Sequence, residues 1–229
     1  MRALMIVICV SAAAAGGELD SVPPVRSCCE GMPETLADIL RRLPAADAAK
    51  AYDADQITWA HEAHHFVNSR LSSPGWRGFY LLDGCAYRFP IPKRTTLRHV
   101  ADAVPADLRG KVFKTYLIDA QRDWQTIALY PFDEAVAYWS GAMVRQEIDK
   151  AERQETERYA VELATYCKTA TEQIIKREDD DYPKQELMDF LELIIARGRV
   201  ICMDFDEQPH AEVLATLGRT AEVVRAEDK

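Results

Sequence analysis

Residues 58–70 read TWAHEAHHFVNSR and hold three of the chain's five histidines. A helix is predicted here from about Asp55 to Ser72, with Asp55 as its N-cap. At 100° per residue, Ile57, Ala60, His64, Val67 and Leu71 form one apolar stripe, and Trp59 and Phe66 lie nearly opposite. Apolar residues on both sides predict a helix buried all round. His61 and His65 share one flank, one turn apart, with Asn68 beside them and Glu62 further round the same side. Buried imidazoles and a carboxylate need something to satisfy them.

The spacing of His61, Glu62 and His65 is H-E-x-x-H. Two histidines at i and i+4 point the same way, at a separation that two positions of a tetrahedral Zn2+ site can share. The glutamate after the first histidine sits slightly round the helix. It can reach a water on the metal without binding the metal, take a proton from that water and deliver it to a leaving amine. The competing reading is a core helix whose imidazoles bond to backbone carbonyls.

A catalytic zinc site needs a third protein ligand and one open position. His99, His210 and downstream carboxylates are candidates. The segment ALYPFDEAVAYWSGA is the most suggestive, because Glu134 starts a helix among Ala135, Val136 and Ala137. A carboxylate on an apolar face is costly unless something binds it. The alternative is a glutamate held by the helix dipole beside Asp133. Glu147 is the next choice, although its neighbours read as a solvated face. Tyr130, ahead of this helix, and Tyr138, one turn beyond Glu134, are each placed to offer a phenol to a developing oxyanion, or simply to pack.

HEAHH followed by FDEAVAYWSG resembles the gluzincin zinc metallopeptidases. The resemblance spans about 80 residues and implies His61 and His65 as metal ligands, Glu62 as general base and Glu134 as third ligand. It implies a zincin-like active-site helix and a peptide or protein substrate. Many members of that family orient a histidine with an acidic residue just after the third ligand; here those positions are Ala137 and Tyr138. Asn68, Asp83 and Asp119 are the remaining candidates for that support.

The rest of the 229 residues frames this site. PETLADILRRL, from Pro33, predicts a short helix with proline at its first position. GFYLL, between the turn signals Pro74-Gly75 and Asp83-Gly84, is strand-prone. RTTLRHVADAV predicts a short helix stopped before Pro105. Residues 111–130 are ambiguous between strand and helix. After Pro131 the chain is helical almost throughout, broken at DDDYP and running on to a last helix from Pro209. The fold class is therefore mainly α (α+β), with a small β element and a long-helix C-terminal bundle. Residues 33–229 form one domain, after a lead-in of residues 16–32 that is rich in Gly, Pro and Ser.

Residues 1–15 carry Arg2, an apolar run and small residues, which predicts a secretory signal peptide and a secreted or periplasmic protein. Export would set Cys28, Cys29, Cys85, Cys167 and Cys202 in an oxidising compartment, where at least one disulfide is expected. The net charge of −9 argues against nucleic acid as a partner. No stretch is apolar enough for stable membrane insertion. Within these bounds the function expected is an exported zinc-dependent metallopeptidase; the other class is a non-catalytic helical scaffold that binds a partner.

Overall fold

The computed structural model describes residues 32–48, 55–82, 84–148 and 155–203. The expected signal peptide, Cys28 and Cys29, Asp83, His210 and the last expected helix lie outside them. The chain is mainly helical with one small antiparallel hairpin, as expected.

The helices are α1 (Glu34–Arg41), α2 (Ala45–Ala48), α3 (Gln56–Leu71), α4 (Leu97–Ala103), α5 (Gln121–Trp124), α6 (Tyr130–Ile148), α7 (Glu155–Arg177) and α8 (Lys184–Met203). The hairpin pairs β1 (Trp76–Tyr80) with β2 (Ala86–Pro90), Gly78 opposite Arg88. Pro33 stands at the N-cap of α1 rather than inside it. Residues 111–130 add no strand. They form a π-turn over Lys114–Asp119 and then α5. The helical stretch after Pro131 is two helices, α6 and α7, not one.

Helix α3 begins where expected. The Asp55 carboxylate accepts hydrogen bonds from the backbone N–H of Ile57 (3.3 Å) and Thr58 (3.2 Å), closing two of the free donors at the helix start. The apolar stripe of α3 enters a core with α1 and the middle of α6, where Leu36, Ile39, Ala60, Ala63, Val67 and Trp139 meet. A second core joins the hairpin, α4, the start of α6, α7 and α8 around Phe79, Phe89, Phe132 and Phe190. Helix α6 lends one face to each core.

The expectation that α3 is buried on both sides is corrected. Phe66 is 50% exposed, Glu62 is exposed, and Trp59 is only partly covered, its ring 6.4 Å from that of Phe66. The elements that pack on α3 are α1, β1 and α6. Among the described residues they cover the stripe and the histidine flank; Trp59 still packs partly on this core, and Phe66 is left outward.

The hairpin is fastened to the C-terminal end of α3. The backbone N–H of Gly78 donates to Ser72 Oγ (3.0 Å), and that of Tyr80 donates to Asn68 Oδ1 (2.7 Å). A side chain at position 78 would put its Cβ 2.3 Å from Leu71 Cβ and 2.6 Å from the Leu71 carbonyl carbon. Glycine is what lets strand and helix approach this closely.

Candidate metal centre

Helices α3 and α6 pack together so that the histidine flank of α3 faces the first turn of α6. This brings His61, His65 and Glu134 into one group. The two Nε2 atoms are 3.1 Å apart, and Glu134 Oε2 lies 3.7 Å from His61 Nε2 and 3.6 Å from His65 Nε2. Glu134 is 5% exposed, and its Oε2 is buried with no hydrogen-bond partner among the described residues. A buried carboxylate oxygen without a donor is costly, and here its open side is turned to two imidazoles. These three residues can hold a metal ion.

The neighbour missed by sequence reasoning is Asp133. Its Oδ2 lies 2.9 Å from His65 Nδ1, and its Oδ1 accepts from Asn68 Nδ2 at 2.6 Å. The acidic partner of a histidine therefore precedes the third candidate ligand instead of following it. Adjacent helical residues diverge by 100°, so Asp133 meets the outer ring nitrogen while Glu134 faces the inner ones. Asn68, one of the three candidates for this support, completes the link by accepting from Tyr80 N. Asp119 is exposed and lies 3.9 Å from Lys114 Nζ.

A proton on Nδ1, held by Asp133, leaves the Nε2 lone pair of His65 for a ligand. Without a metal, burial alone would push His65 down, but hydrogen bonding and charge from Asp133 and Glu134 outweigh it and lift the group to about 10. His61 moves the other way, to about 3, through burial and then the charges of His65 and His64. The two shifts favour a charged His65 and a neutral His61 when no cation lies between them.

His64, the third histidine of the stretch, belongs to the core. It is fully buried; Nε2–H donates to the Tyr80 carbonyl (2.9 Å), and Nδ1 lies 2.7 Å from Ser140 Oγ. Burial first pushes its pKa down to about 4, so it is neutral at pH 7. This residue fits the core-helix alternative; His61 and His65 do not.

Both tyrosines lie at the group. Tyr130 is the first residue of α6, one helical turn before Glu134, whose charge acts on it. Tyr138 sets its ring edge-on to His61, centroids 4.4 Å apart, and shares a 2.5 Å hydrogen bond with Tyr116. Burial, followed by nearby charge and hydrogen bonding, raises the pKa of Tyr116 and Tyr130. Tyr116, from the π-turn, carried no sequence signal. Glu62 is exposed, and its charge acts on Tyr138.

The other ligand candidates have separate work. Both carboxylate oxygens of Glu147 accept from Thr35 N, at 3.1 and 3.2 Å, which caps α1. His99 completes the capping box of α4 with Thr96. An open cleft of about 540 Å3 between the hairpin end and residues 90–96 includes no member of the His–His–Glu group. No family model, curated protein or solved structure matches the chain. Among the described residues, no helix is long and apolar enough to cross a membrane.

Proposed function

We propose that this protein is a zinc-dependent hydrolase of peptide bonds, of the gluzincin kind, with His61, His65 and Glu134 as ligands and Glu62 as general base. The observation that carries the reading is the buried, unpartnered Glu134 Oε2 turned to two Nε2 atoms. Zinc bonds of ~2.0–2.2 Å at tetrahedral angles put neighbouring donors ~3.3–3.6 Å apart. The three separations here, 3.1, 3.6 and 3.7 Å, bracket that range before any ion has drawn the groups in. Two imidazoles and one carboxylate suit zinc and leave a fourth position for water and substrate.

A bound zinc would polarise the scissile carbonyl and acidify the attacking water. The protein's own part is positioning and proton transfer. Asp133 fixes the His65 ring. Tyr130 orients the Glu134 carboxylate. Glu62, on the rim one residue after the first ligand, accepts the water's proton and returns it to the leaving amine. The Tyr138 phenol, oriented by Tyr116, stands beside His61, where a donor to the developing oxyanion is needed.

The test is Glu62→Gln. It should bind zinc as the parent does and lower hydrolysis of a peptide library by roughly two to four orders of magnitude. A variant that cleaves as fast as the parent contradicts this assignment. If neither protein cleaves any peptide, the non-catalytic scaffold is the better reading.

A further inference from the structure

Arg77 stands on β1 with its guanidinium 4.8 Å from the centre of the Trp124 ring. Trp124 in turn stacks on Tyr130, centroids 5.0 Å apart and planes within 8°. Tyr130 stands one helical turn before Glu134 on α6. A cation, an indole and a phenol thus follow one another towards the helix turn that carries the candidate metal ligand.

What separates Arg77 from the other arginines around it is the lack of a polar partner. Arg42 bonds to Tyr80 and Asp38, Arg88 to Ser73, Arg109 to the Val104 carbonyl and Arg197 to the Leu81 carbonyl. Among the described residues the Arg77 guanidinium makes no hydrogen bond or ion pair. Asp133 acts on it through charge, but both Asp133 oxygens are taken by His65 and Asn68. Arg77 and Trp124 are both half-buried, so the fork of N–H donors is held on one face and reachable from solvent. A planar guanidinium fixed by an aromatic face and left with free donors is suited to bidentate capture of a carboxylate.

We propose that Arg77, braced by Trp124, is a specificity subsite that binds a carboxylate of the substrate, either the chain terminus or an acidic side chain. This rests on the peptidase reading above and adds to it the substrate class.

The test is equilibrium binding to zinc-loaded protein of three succinyl hydroxamates, whose hydroxamate end chelates zinc: one ending in Ala-Ala with a free carboxylate, its C-terminal amide, and an Ala-Glu amide. At least one carboxylate form should bind roughly ten- to a hundredfold more tightly than the Ala-Ala amide, as a charge-assisted contact supplies. Arg77→Gln should abolish that advantage while leaving zinc content and binding of the Ala-Ala amide unchanged, and Arg77→Lys should keep part of it. An advantage confined to the free acid assigns the subsite to a chain terminus; one shared by the Ala-Glu amide assigns it to a carboxylate in either position. Equal binding of all three by the parent, or an advantage that survives Arg77→Gln, overturns the proposal while the metal reading stands. The parent comparison decides even if Arg77→Gln fails to fold. Absence of zinc uptake, or of any hydroxamate binding, removes the metal reading and the subsite together.

Discussion

Asp133 and Glu134 are neighbours in sequence with different partners in space. One holds the outer nitrogen of His65 and the other faces the inner nitrogens of both histidines. Their separate duties give a residue-level prediction. Asp133→Asn keeps the size but loses the charge and one of the two acceptor oxygens that hold His65 Nδ1–H and Asn68 Nδ2. Zinc affinity, read by chelator competition, should fall roughly ten- to a hundredfold, as loss of such outer support usually brings. An unchanged affinity would remove Asp133 from the account. The pairing of His61 with His65 was legible because their spacing is local to one helix turn. Asp133 was not, because its duty depends on how α6 is rotated against α3. Tyr116 was hidden for the same reason: only the π-turn brings its hydroxyl to Tyr138.

Helix α3 is the element on which the site depends, and each of its ends has a checkable support. At the start, the hydrogen bond from Thr58, opposed by burial and aided by the backbone N–H groups, holds Asp55 below the usual carboxylate range. Its cap therefore stabilises the fold above the ordinary carboxylate pKa and is lost as pH falls through the lower folded value. Asp55→Ala should lower stability by about 1 kcal/mol near neutral pH. The gap between parent and variant should narrow below about pH 4, measured by denaturant melts across pH. A gap independent of pH contradicts the cap. At the other end, Gly78→Ala should destabilise by about 1–3 kcal/mol, because strand or helix must move to admit the methyl group. Thermal melting checks this, and an unshifted melting temperature would mean that the close approach to Leu71 is absent. The caps and turns of these elements could be read from sequence, since Asp55, Pro74-Gly75 and Pro105 act locally. The outward side of α3 could not. Trp59 and Phe66 look like core residues by periodicity, and only the placing of α1, β1 and α6 shows which side is covered.

At the scale of the whole molecule, the helical class followed from the long breaker-free stretches, and the hairpin from its turn residues. The arrangement of two cores that share α6 was not legible, because a nearly continuous apolar surface on α6 does not say which partner takes which face. Residues 111–130 stayed ambiguous in the sequence for a related reason. Val112 and Leu117 are buried while Lys114, Thr115, Ile118 and Asp119 are exposed, which fits a tight helical turn no better than a strand until its contacts are known. The export expectation makes its own prediction: protein recovered from outside the cytoplasm should start near Gly16 and carry at least one disulfide, by mass spectrometry without reductant. Five reduced thiols would contradict it. Cys167 is a buried thiol in α7 and is not bonded to Cys85, so Cys28, Cys29, Cys85 and Cys202 are the residues to map first. The central claim is that α3 and α6 together make one zinc site, and anomalous scattering at the zinc edge, from crystals grown without chelator, tests it most directly. The account predicts a single strong peak within ~2.0–2.2 Å of His61 Nε2, His65 Nε2 and a Glu134 oxygen. No peak after zinc soaking would contradict it.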